Sequence, residues 1–164
     1  MKLLINCISL MLGYTFNTIN TILPPRNVYI SSLIQPLQID YIQNSIAKMN
    51  LSRTYDKNSN HIRIQYDNSI IANTAMTATL YSIGSFVVES TVISFNPNLY
   101  DNILGCVILH ELGHSMGLGH NSNVGSIMNY RLFVDETGYI LNDNVECFLS
   151  QDDMDGINFI KKNN

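Results

Sequence analysis

Hydrophobic and polar residues alternate along Val28-Tyr29-Ile30-Ser31 and again along His61-Ile62-Arg63-Ile64-Gln65-Tyr66, where Asp67-Asn68 follows with turn chemistry. Period-two alternation sends successive side chains to opposite faces, so both stretches are expected to be strands. Between them Pro36 opens a segment in which Leu37, Tyr41, Ile42, Ile46 and Met49 share one helical stripe. With proline suited to a first turn, this predicts an amphipathic helix over 37–50. Residues 70–95 are rich in Ile, Thr, Val, Phe and Tyr, broken at Gly84-Ser85 and closed by Asn96-Pro97. Further strands are expected there, with no register specified. From Leu99 to Met116 an apolar, proline-free run predicts a buried helix, in which Gly105 and Gly113 either serve close packing or cost helix propensity. Met154, Ile157 and Ile160 recur at three-residue spacing behind an Asp-rich first turn, which predicts a short closing helix from Ser150 to Ile160.

A length of 164 residues fits one core, and 46% hydrophobic against 13% charged residues is the balance of a folded domain. The net charge of -4 and the scattered Lys and Arg argue against a nucleic-acid partner. The start Met1-Lys2-Leu3-Leu4-Ile5 continues as an apolar stretch to Phe16, too short to span a bilayer. Residues 1–20 therefore read as a signal peptide, with a domain over 21–164 and a secreted product, although a buried first strand of a cytosolic domain would show the same pattern. If the signal is removed, Cys7 leaves with it, and Cys106 and Cys147 remain as an even pair. An oxidising compartment could join them, and two buried free thiols fit the sequence equally.

Three of the four histidines lie in His110-Glu111-Leu112-Gly113-His114-Ser115-Met116-Gly117-Leu118-Gly119-His120. On a helix, His110 and His114 stand one turn apart on one face, so both imidazoles can reach one ion. Gly117 accepts positive φ and lets the chain leave the helix sharply, so that His120 swings back as a third ligand. Three neutral imidazoles leave one position open on Zn2+, the pattern of a catalytic site. Zinc lowers the pKa of a water held there toward ~7 and polarises a carbonyl as a Lewis acid. Glu111 is placed to accept that water's proton as general base and to return it to a leaving amine. His61 stands alone in a polar strand, and no ligand role is read for it.

This segment resembles the extended three-histidine site of the metzincins, and Ser126-Ile127-Met128-Asn129-Tyr130 resembles their methionine turn. The short step from His120 to Met128, Gly125 and the ending Leu149-Ser150-Gln151-Asp152-Asp153-Met154-Asp155-Gly156-Ile157 are similar to the matrixins, the matrix metalloproteinase family. The motif-level similarity covers 110–130 and 149–157. The resemblance implies an α+β fold, a twisted mixed sheet with three helices, with zinc on the central helix above a methionine turn. It implies a zinc-dependent endopeptidase acting on extracellular proteins, with a protein or peptide substrate lying extended along an edge strand. Met128 would pack beneath the metal without ligating it, Asp153 would support the methionine turn, and Asp152 would either pair with a freed N-terminus or complement its helix dipole.

The chain also departs from the matrixin pattern. Tyr130 stands two residues past Met128, where astacin-like and serralysin-like members carry a tyrosine that approaches zinc, so it either stabilises an oxyanion or lines the specificity pocket. Pro24-Pro25-Arg26-Asn27 lacks the thiol of a cysteine switch. With only His61 to spare, no second zinc is expected, and the loops from 67 to 98 contain too few carboxylates for a clear calcium site. A monomer without a stable membrane span is expected. The competing readings are a secreted zinc-binding module without peptidase activity and a cytosolic metallopeptidase.

Overall fold

The computed structural model of the chain describes residues 27–58, 62–71, 74–81, 88–122, 125–129 and 147–162. The signal-like segment, His61 and Tyr130 lie outside the described residues. Five strands, β1 (Asn27–Ile30), β2 (Ser52–Thr54), β3 (Ile62–Tyr66), β4 (Ala75–Tyr81) and β5 (Val88–Phe95), form one sheet in the order β2-β1-β3-β5-β4. The first four of these neighbours run parallel, and β4 lies antiparallel to β5 at the edge. With α1 (Pro36–Lys48), α2 (Asp101–Ser115) and α3 (Gln151–Lys162), this is the mixed sheet with three helices expected of an α+β domain. Among the described residues no helix is long and apolar enough to cross a membrane.

Register explains the core. Ile30 pairs with Ile64, Ile64 with Ile93, and Ile93 with Thr77, so this row lies on one face of the sheet. Val28, Ile62 and Phe95 are buried with the three isoleucines, and α2 packs on β4 and β5 from that side. α2 is buried nearly all round, from Ile103 to Ser115, because the sheet lies on one flank and α1 on another. A helix in that position has no polar face to present, which is why its sequence shows an apolar run instead of a stripe.

Two stripes read from the sequence hold in part. In α1, Leu37 is 57% exposed and Tyr41 also faces solvent, while Gln38, Ile42, Ser45 and Ile46 are buried. The polar pair is tolerated because both side chains find partners. Gln38 donates to Asp101 Oδ1 at 3.1 Å and accepts from the Tyr66 hydroxyl at 2.6 Å, and Ser45 donates to the Gly105 carbonyl at 2.7 Å. In α3, Met154 is 39% exposed, and among the positions whose burial is described Asp153, Gly156 and Ile157 are buried. The periodicity marked each helix and much of its inward face, since Ile42, Ile46, Met49 and Ile157 are buried as expected, while hydrogen-bonded Gln38, Ser45 and Asp153 are buried where Leu37, Tyr41 and Met154 are exposed. Strand β2 has no alternating signature and was not expected; it forms because Leu51 is drawn into the core after α1 closes. That closure uses Asn50 at φ 52°, with Leu51 N–H donating to Ile46 O and Asn50 N–H to Ala47 O, a Schellman motif.

Cys106 on α2 and Cys147 ahead of α3 form a disulfide, which resolves the alternatives left by the sequence. It joins positions 41 residues apart, for which loss of unfolded-chain entropy contributes about 4 kcal/mol. Lys48 Nζ also donates to the Cys147 carbonyl, so the stretch leading into α3 is held against both α1 and α2.

Candidate metal centre

The last two turns of α2 carry His110, Glu111 and His114, and the helix ends at Ser115. Gly117, at φ 98°, turns the chain back: Leu118 N–H donates to Gly113 O and Gly117 N–H to His114 O, the same closing motif that ends α1. This reversal sets His120 opposite the helix. The Nε2 atoms of His110 and His114 are 3.0 Å apart, and each is 3.1 Å from Nε2 of His120. Among the described residues these three form the group able to hold a metal ion.

The protons on the rings follow from their outer contacts. His110 Nδ1 lies 2.6 Å from the Ile127 carbonyl and His114 Nδ1 2.8 Å from the Leu118 carbonyl. A carbonyl only accepts, so both Nδ1 atoms carry hydrogen and donate, leaving Nε2 with a lone pair. Burial pushes the His110 pKa down to about 3, helped by the neighbouring His114 charge, and burial lowers His120 as well. Burial thus holds His110 and His120 neutral, and the Nε2 atoms of the three rings face one point, an arrangement favourable around a cation. The centre of a triangle of this size is roughly 1.8 Å from each nitrogen, so the three Nε2 atoms are spaced as ligands that would hold one ion at about 2.0–2.1 Å. The donor set and the geometry therefore suit zinc.

Glu111 is buried beside the histidines, and burial raises its carboxyl pKa, while the His114 charge and a hydrogen bond from Thr77 pull it back. Thr77 Oγ1 lies 2.6 Å from Glu111 Oε2. Nothing in the strand pattern pointed to Thr77, because the contact depends on how β4 packs against α2.

Met128 is wholly buried. A Cβ built on Gly113 would overlap Met128 Sδ and lie 3.3 Å from its Cε, so the missing side chain of Gly113 is the seat of the methionine. The turn carrying Met128 is held from both ends. Asn121 N–H donates to the Met128 carbonyl at 3.0 Å, and Ser126 Oγ accepts from Asn121 Nδ2 at 2.8 Å and from Met128 N–H at 3.0 Å. Gly125 enters the turn at φ 93°.

Asp153, fully buried, ties this turn to α3. Its Oδ1 accepts from the Ser126 hydroxyl at 2.6 Å, and its Oδ2 accepts from Ile127 N–H at 2.9 Å and from Ser150 N–H and hydroxyl at 2.9 and 2.7 Å. Asp153 N–H in turn donates to Ser150 Oγ at 3.2 Å, so Ser150 and Asp153 form a capping box at the start of α3. The same carboxylate that caps the helix anchors the turn beneath the histidines. The sequence marked this start as an Asp-rich first turn, not as a capping box, and the roles of Ser126 and Asn121 carried no sequence signal of their own. Tyr130 follows directly after this turn, outside the described residues.

Comparison with known proteins agrees with the geometry. The chain matches the peptidase family described as matrixin over residues 43–161, reaching upstream of the metal motif into α1. A stretch of 63 residues is 43% identical to interstitial collagenase of Sus scrofa, covering 38% of this chain and 12% of that relative's length.

Proposed function

This chain belongs to the matrixin family of peptidases, and on that premise we propose that it is a zinc-dependent endopeptidase in which His110, His114 and His120 hold the metal and Glu111 is the general base. The observation that carries this reading is the convergence of three imidazole Nε2 atoms beside one buried carboxylate. Zinc, when bound, supplies Lewis acidity toward water and toward the carbonyl of the scissile bond.

The protein's own groups do the rest. Glu111 takes the proton of the attacking water and passes it to the departing amine; a carboxylate whose proton affinity is raised by burial is better matched to that exchange than an exposed one. The Ile127 and Leu118 carbonyls hold the rings of His110 and His114 in one orientation and tautomer. Among the described residues β4 is an edge strand beside Glu111, so an extended peptide pairing along its outer side would bring a peptide bond to the centre, with main-chain hydrogen bonds supplying affinity. Met128 and Asp153 support the histidine layer, and Gly117 permits the reversal that brings His120 to it.

The proposed substrate is an extracellular protein and the proposed location secreted, with residues 1–20 removed as a signal. The Cys106–Cys147 bond supports that location, since such bonds persist in oxidising compartments. The test is zinc content together with hydrolysis of a broad peptide library, for the natural chain and Glu111→Gln. One zinc per chain is expected in both, with turnover in the variant lower by about 10²–10⁴-fold, the usual contribution of a general base. Zinc bound without turnover in the natural chain would replace this reading with that of a zinc-binding module.

A further inference from the structure

Across the sheet, the row Ile30–Ile64–Ile93–Thr77 faces α2 and is aliphatic until its last member. A valine would complete it at no polar cost. The hydroxyl found there instead is half-buried and meets the Glu111 carboxylate: Oγ1 is 2.6 Å from Oε2 and 3.2 Å from the Glu111 carbonyl oxygen. A hydroxyl has one proton to donate, and the shorter approach to the charged acceptor takes it.

We propose that Thr77 is a positioning residue for the proton acceptor of this site, holding Glu111 Oε2 from the edge strand so that the other carboxylate oxygen is directed to the reacting water. The inference rests on the reading of Glu111 as general base. Its distinctive content is the coupling of two roles in one strand. The backbone of β4 is the edge proposed to pair with substrate, and its Thr77 side chain orients the base, so both are placed by the same three-residue stretch from Met76 to Ala78. Met76 is exposed on the opposite face, as the strand alternation requires.

The experiment compares Thr77→Val, which keeps the shape and removes the hydroxyl, with Thr77→Ser, which keeps the hydroxyl. It uses the zinc-loaded full chain, with Thr77→Ala as a second hydroxyl-free variant should valine disturb packing. Removing one charge-assisted hydrogen bond to the base is expected to lower kcat about ten-fold with KM changed less than about two-fold, and Thr77→Ser is expected to recover kcat to within about two-fold of the natural chain. In the metal-free protein, Thr77→Val and Glu111→Ala should shift the urea midpoint non-additively, because each removes the same hydrogen bond. Unchanged kcat in both hydroxyl-free variants, equal loss in Thr77→Val and Thr77→Ser, or strictly additive midpoint shifts would overturn the proposal. If the natural chain itself shows no turnover with zinc bound, the peptidase reading fails and this inference falls with it. Turnover lost in Glu111→Gln but intact in Thr77→Val removes this inference alone.

Discussion

Two glycines inside one helix provide an internally controlled test of how Met128 packs against α2. Each should yield about 0.8–1 kcal/mol of helix propensity on replacement by alanine if space allows. At Gly105 the nearest atom to a built Cβ is Ser45 Oγ at 3.8 Å, ordinary contact, so Gly105→Ala should stabilise the protein by about 0.5–1 kcal/mol. At Gly113 the added methyl would occupy the position of Met128 Sδ, and Met128 has no exposed surface toward which to retreat. Overpacking of this kind costs about 1–3 kcal/mol, which cancels or exceeds the propensity gain. The two variants should therefore differ by about 1–3 kcal/mol in urea unfolding of the metal-free protein, with Gly113→Ala the less stable. Because Met128 lies in the turn whose Ile127 carbonyl holds His110, Gly113→Ala should also weaken zinc binding in chelator competition, whereas Gly105→Ala should leave it unchanged. In a Met128→Ala background the clash is absent, and Gly113→Ala should become neutral or stabilising. Equal stabilisation by both alanines, with zinc affinity untouched, would refute the packing of Met128 against Gly113.

Asp153→Asn should cost about 2–3 kcal/mol in the same urea assay: the amide can serve the three donors at Oδ2 with its oxygen but then opposes the Ser126 hydroxyl with an NH2 group, and it gives up the charge that strengthens every bond. A loss below about 0.5 kcal/mol would mean that the cradle is not formed in solution. Stability of the metal-free protein should fall with acidity, because His110 titrates near 6.5 when unfolded and at about 3 when folded. The stabilising contribution is complete above pH 6.5 and is lost as pH falls from there toward 3, amounting to about 2 kcal/mol at pH 5. His120 acts in the same direction, whereas the raised Glu111 acts in the opposite one, so the measurement belongs in a Glu111→Gln background. A urea midpoint unchanged between pH 7.5 and 5 would contradict it.

The amino-acid sequence by itself determined the element types apart from β2, since periods of two and of about 3.6 are local properties of a chain. It also determined the donor set, because His110 and His114 one turn apart and a glycine at 117 constrain a short segment whatever surrounds it. The match over residues 43–161 agrees with that motif and extends beyond it. The tertiary structure decided which faces are inward: Gln38 and Ser45 replace Leu37 and Tyr41 in the core of α1 because Asp101, Tyr66 and the Gly105 carbonyl satisfy them, and those partners are distant in sequence. It decided the pairing of Cys106 with Cys147 for the same reason. It alone brought Thr77 to Glu111 and Ser126 to Asp153, contacts between residues 34 and 27 positions apart. A hydroxyl in a strand or a turn has the same local signature whether it meets water or a buried carboxylate. What distinguishes the two is the packing of one element on another, which a one-dimensional pattern does not contain.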